Sequence, residues 1–208
     1  MGERSTVHTG PRVTGTAEKR TRLKRPERRA AIIDGAAAAF AKGGYAATSM
    51  AEVAFAAGVS HLIVYRHFDS KEALYNSVLA RAVDHLSDAL CGDGAVGRLG
   101  PTPATVLHAA RADHDAFVIL WRHAGREPEF THWNERSRKM LLDTTAAALR
   151  PHVARADLRW ATRATVAYLV EAVLVWIEDG DPRFDERFVV ATNAALRAGV
   201  TSWTKVLP

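Results

Sequence analysis

The side chains best suited to read a hydrogen-bonding edge crowd into one short stretch: Ser60, His61 and Arg66. Hydroxyls and cations of this kind suit phosphate oxygens, and His or Arg also meets the polar edges of bases. Leu62 and Ile63 stand side by side among them. A face turned to water does not ordinarily carry such a pair, whereas thymine methyls would receive it. Each residue alone has an ordinary reading. Tyr65 and His67 fit a core, Lys71 fits solvent, and Leu62 and Ile63 fit a contact with a preceding helix. The joint pattern is what points to a nucleic acid.

Other chemistries find no such concentration. The nine histidines include no pair three or four apart, so the helical pair of a zinc site is absent. Asp113, His114 and Asp115 are consecutive, and consecutive helical residues point about 100° apart, so they do not converge on one ion. Cys91, the one cysteine, sits in a Gly-rich loop and leaves no disulfide within the chain. The glycines of 92–97 have no strand before them and no Lys-Ser/Thr after them, as a phosphate loop requires. No serine elbow occurs. The sequence predicts no enzyme, no metal and no cofactor.

The elements around the stretch read as helices. Pro26 and Glu27 open the first, Ile32, Ile33, Ala36, Ala37 and Phe40 recur at helical spacing, and Gly43-Gly44 stops it. Ser49 with Glu52 matches a capping box for a short second helix ending near Ala57. Gly58 supplies a turn, and Ser60 caps a third helix to about Phe68. Asp69 with Glu72 matches another box, opening a helix over 70–90. After a Gly- and Pro-rich loop over 91–103, helices follow at 104–124, 129–149, 157–178 and 185–205. No period-2 stretch suggests a sheet, so the expected class is all-α. The 208 residues are 48% hydrophobic and 25% charged, an ordinary globular balance. Charge is lopsided: residues 1–29 hold a net +6 while the remainder is −1. A basic arm over 1–25, including Lys24 and Arg25, suits a polyanion or is a solvated, disordered tail. No apolar run approaches a membrane span and no secretory signal is visible, so a cytoplasmic setting is expected.

Two short helices about a glycine turn form a helix-turn-helix candidate, whose second helix would enter the major groove. Here the residues become more specific than the pattern. Thr48-Ser49-Met50-Ala51-Glu52-Val53-Ala54-Phe55-Ala56-Ala57-Gly58-Val59-Ser60, followed by Tyr65-Arg66-His67-Phe68-Asp69-Ser70-Lys71-Glu72-Ala73-Leu74, resembles the DNA-binding domain of the TetR family of bacterial transcriptional regulators. The resemblance implies a helix-turn-helix domain at 26–74, joined to a larger helical effector-binding and dimerisation domain at 75–208. It implies a homodimer on a near-palindromic double-stranded operator, most often a repressor released by a small molecule. It puts Ser60, His61, Leu62 and Ile63 where base edges are read, Tyr65, His67 and Lys71 where phosphates are gripped, and Thr48 and Ser49 against the backbone. The family commonly has smaller residues at the positions of Leu62 and Ile63. The chain has no Gln, so His61 and Arg66 are the polar base readers. An activator with the same domain, or a helical adaptor that contacts proteins, remains the alternative.

Family analogy puts a hydrophobic or amphipathic effector among the middle helices of the body. Inward candidates at helical spacing are Leu107, Arg111, His114, Phe117 and Trp121, then Trp133, Met140 and Thr144, then Tyr168 and Glu171. Glu171 interrupts an apolar run, so burial would require an arginine, a protonated neighbour or a cationic ligand. Two stripes are expected to form a four-helix dimer face: Leu169, Val173 and Trp176, and Phe188, Thr192, Ala195 and Gly199.

Overall fold

A computed structural model describes residues 24–92, 96–97 and 100–206. The expected basic arm lies outside the described residues except for Lys24 and Arg25. The fold is all-α, as the hydrophobic periodicity requires. In chain order the helices are α1 (Arg25–Ala47), α2 (Met50–Ala56), α3 (His61–Tyr65), α4 (Lys71–Cys91), α5 (Pro103–Ala112), α6 (His114–Val118), α7 (Thr131–Leu149), α8 (Leu158–Asp179) and α9 (Asp185–Val206). The loop after α4 contains a small ladder that the sequence did not suggest. There β1 (Val96–Gly97) pairs antiparallel with β2 (Gly100–Pro101). Gly100 has φ 112°, and a Cβ there would stand 2.9 Å from Thr145 Cα, so glycine lets β2 press onto α7.

Local chemistry sets the first helices. Pro26 lies in the first turn of α1, and Glu27 accepts from the Lys24 N–H at 2.8 Å. Gly35 lets α2 cross closely, since a Cβ there would sit 2.5 Å from the Ala57 nitrogen. Gly44, at φ 74°, breaks the regular turn of α1. The box on α2 forms as the spacing predicts: Ser49 Oγ accepts from the Glu52 N–H at 3.2 Å, and Glu52 Oε2 accepts from the Ser49 N–H at 2.7 Å. The cap of α4 falls one residue later than expected, on Ser70, whose hydroxyl accepts from the Ala73 N–H at 3.0 Å.

The single helix expected over 104–124 is broken. Asp113 leaves helical geometry and caps α6 by accepting from the Ala116 N–H at 3.2 Å. Residues Ile119–His123 then widen into a π-helical turn. Asn134, buried on α7, donates to the Leu120 carbonyl at 2.9 Å and so occupies an acceptor within that turn.

Among the described residues two large cores, and a small third cluster of Leu149, Ala161 and Val200, organise the fold. The first joins Ile32, Phe40, Val53, Val64 and Phe68 to Leu74, Tyr75, Val78 and Val83 of α4, and to Ile119, Leu120 and Phe130. The second joins Leu86 to Leu107, Phe117, Leu141, Leu169 and Val173. Thus α4 belongs to both, and Trp121 and Met140 pack against both. α8 has the length and mean hydropathy, 1.3, of a membrane span, but half of that stretch is buried inside the protein. A core helix reads the same way.

Candidate nucleic-acid interface

α3 is barely more than one turn, and its two sides are sharply different. Val64 and Phe68 are buried, and Val59 and Ile63 pack partly against the same core. Arg29 lies 4.8 Å over the Phe68 ring and reaches Ser77 Oγ at 3.3 Å, which ties α1 to α4 behind the motif. Gly58, at φ 64°, makes the turn from α2, and the Val59 N–H donates to the Ala54 carbonyl at 3.0 Å. With the inner side fixed, Ser60, His61, Leu62, Tyr65 and Arg66 are left exposed in one row. Leu62 is 63% exposed. Its neighbour Ile63, expected to face outward with it, turns half inward because the period of a helix places residues 63, 64, 67 and 68 on one side. His61 and Tyr65 meet edge to face at 4.7 Å, holding both rings on the outer row.

The residues expected at phosphates are differently placed. Ser49 is exposed at the start of α2, and Lys24 and Arg25 are exposed at the start of α1. Thr48 is instead buried, its hydroxyl donating to the Gly44 carbonyl at 2.7 Å. That bond closes the broken end of α1, so the hydroxyl is turned away from solvent. Nor is Lys71 the free cation expected. Its ammonium donates to the carbonyls of Tyr45 at 2.7 Å, Ala46 at 3.3 Å and Thr48 at 3.0 Å, and lies 4.5 Å over the Tyr45 ring. Unpaired carbonyls at a helix end attract a cation, and this one is within reach. His67 is half-buried. Burial, and then Arg25, Arg28 and Arg29, hold its imidazole below the ordinary value of 6.5.

The head is fastened to the body by contacts between residues remote from one another along the chain. Tyr45 packs on Tyr75 at 4.8 Å and on Phe130 at 4.7 Å, and Tyr75 is fully buried. Arg81 on α4 bridges Asp34 of α1 at 2.6 Å and Asp113 at 2.5 Å. Trp133 on α7 donates to Asn76 of α4 at 2.8 Å.

In the body, Leu107 and Phe117 are buried together, with Trp121 and Met140 packed against them. The indole nitrogen of Trp121 is buried without a hydrogen-bond partner among the described residues, and Arg138 lies 5.6 Å from its ring. Trp133 belongs to the first core, and Thr144 donates to the Met140 carbonyl of its own helix at 2.8 Å. The other effector candidates lie elsewhere. Arg111 pairs with Asp185 through two bonds of 3.1 and 2.9 Å, and lowers that carboxyl's pKa. His114 is exposed beside Asp115. Glu171 is exposed and paired with Arg122 at 2.9 Å, while Tyr168 is 45% exposed.

The expected dimer stripes are likewise rotated. Leu169 and Val173 lie inside the protomer, fully buried, and Thr192 is buried as well. The side of α8 that faces out carries Tyr168, Glu171, Ala172, Val175 and Trp176, which with Phe188 of α9 line an open groove of about 300 Å³. Trp176 stacks on Phe188 at 4.9 Å, and Ala195 is exposed and Gly199 half-exposed along the same helix as Phe188.

Residues 32–78 match the family described as bacterial regulatory proteins, tetR family. The chain is 44% identical over 75 residues to the HTH-type transcriptional activator FasR of Mycolicibacterium smegmatis, covering 36% of this chain and 34% of that protein. It is 29% identical over 142 residues to the HTH-type transcriptional repressor KstR2 of Rhodococcus jostii, covering 63% of this chain and 70% of that protein. The match thus spans about a third of the length of the first relative and about two thirds of the second. A TetR-like transcriptional regulator from Rhodococcus sp. RHA1 shares the fold at a TM-score of 0.71 and 22% identity, covering 86% of this chain and 99% of that one. The matched segment runs from α1 to the first turns of α4, and the fold is shared through the helices beyond it, so the chain carries a domain of the tetR family of bacterial regulatory proteins on an all-α fold.

Proposed function

We propose that the protein is a cytoplasmic, homodimeric transcription regulator that reads a near-palindromic operator with α3 and answers a small hydrophobic or amphipathic effector, acting as a repressor that the effector releases. In this reading residues 26–74 are the reading head, 75–208 bind effector and dimerise, and Lys24 and Arg25 meet the phosphate backbone. The observation that carries it is the exposed row of Ser60, His61, Leu62, Tyr65 and Arg66 on a helix whose other side is locked into the core. Such a row has the dimensions and donors of a major-groove reader. The exposed apolar groove of α8 and α9 supports the dimer, since two such helices from each chain make a four-helix bundle. Trp121 supports the effector site: an unpartnered donor amid apolar walls suits an amphipathic guest. To release the operator almost fully, the effector must prefer the released state by roughly 5 kcal/mol.

The test is selection from a random duplex pool followed by titration at several salt concentrations. Recovered sequences should be palindromic, with half-sites about 34 Å apart, and affinity should fall steeply with salt. Recovery of asymmetric sequences alone would overturn the two-fold reader. Activation is the second reading, favoured by the name that FasR carries. A reporter driven through the selected operator separates the two by the sign of its change.

A further inference from the structure

Beside the Thr48 end of α2 the head carries an open groove of about 540 Å³ between α1 and α2. Its floor is built from Ala38, Ala39, Gly43 and Ala56. Phe55 stands at its edge, 90% exposed, the most exposed large apolar side chain among the described residues. A phenylalanine so placed holds no other residue of its own chain in position. The walls carry opposite charges. Lys42 of α1 makes no hydrogen bond or ion pair among the described residues. Glu52 of α2 spends only Oε2 on Ser49, which leaves Oε1 open to another donor.

We propose that this surface docks the same surface of a second dimer bound beside the first on one duplex. The inference rests on the DNA-binding dimer argued above. A two-fold axis through the patch would put each Phe55 into the other copy's groove, and would set Lys42 against Glu52 twice. A knob beside a hole, with one charge of each sign, is thus complementary to itself. The acidic wall does not suit DNA, and the balanced charge gives no preference to an acidic or a basic peptide. One groove and one aromatic ring per copy fall well short of the roughly 1,200 Å² that a stable free complex buries. On a shared duplex the effective concentration is of millimolar order, so the contact expresses itself as cooperative loading.

The experiment uses the full chain and duplexes carrying the selected palindrome once or twice, with the spacer varied in single base pairs. The ratio of second to first loading is read within each variant, so a general change in DNA affinity cancels. At one spacing the second dimer should bind about tenfold or more tighter than the first, and Phe55→Ala should return the ratio to one. Phe55→Ala should leave single-palindrome affinity and melting temperature as they were. Lys42→Gln should reduce the gain in part. Equal loading at every spacing, or a gain that survives Phe55→Ala, overturns the proposal while the single-site reading stands. Failure of the dimer to bind even the single palindrome overturns both.

Discussion

α3 and α8 each pose the question of which side faces inward, and they answer it on different grounds. α3 has polar and apolar sides assigned by its own short sequence, with Gly58 and the α2 cap fixing its approach. α8 is apolar almost all round. One side fills the protomer core with Leu169 and Val173, and the other presents Tyr168 and Val175 to the outside. A helix that is apolar on every side says that it is covered on every side, and leaves open which cover is its own chain.

The sharpest way to separate the two sides of α8 is to change one residue on each. Leu169→Ala should cost the protomer about 2–5 kcal/mol, because it opens a cavity in a closed core. Urea unfolding at several protein concentrations should show that loss at every concentration. Val175→Glu should instead leave a folded monomer in sedimentation and remove the concentration dependence of unfolding. If Val175→Glu sediments as a dimer, the outward side of α8 is not the dimer face.

On α3 the contrast is between reading and holding. Arg66→Ala should cost about 1–3 kcal/mol on the preferred sequence and relax the choice of one base in a repeated selection. An unchanged selection would remove Arg66 from the readers. Ser49→Ala should cost about 1 kcal/mol of head stability through the lost cap, without altering the preferred sequence.

The smallest effect expected is a dependence on pH. His67 is held below its ordinary value in the free protein, chiefly by burial and then by Arg25, Arg28 and Arg29. The folded head therefore binds fewer protons than the unfolded chain just below pH 6.5. The contribution of His67 to stability is complete above that range and shrinks as pH falls through it. Phosphates beside the ring would favour the charged form, so binding takes up a proton. Affinity for the selected operator should rise by about threefold between pH 7.5 and 6 at constant salt. His67→Asn should flatten that rise in an anisotropy titration.

What could be read beforehand divides along the same line. The α2 capping box, the Gly58 turn and the buried Val64 follow from residues within a few positions of one another, and the family's pattern added roles to them. Thr48 and Lys71 were harder. Each has the chemistry of a phosphate ligand, but the break at Gly44 exposes carbonyls nearby, and both side chains turn to those. In the body the deciding partners are remote. Arg111 finds Asp185, 74 residues away, and the π-helical turn meets Asn134 from another helix. Periodicity counts neighbours on one helix and carries no information about such pairings.

α4 runs from Lys71 to Cys91 without a glycine or proline, a rod about 31 Å long with one end in each core. A rod with no joint transmits rotation in full. A tilt of only about 5° at its body end would carry the head end sideways by nearly 3 Å, close to the rise of one base pair. In a pair of heads that must land on two grooves at a fixed separation, a displacement of that size on each side is a large part of the tolerance.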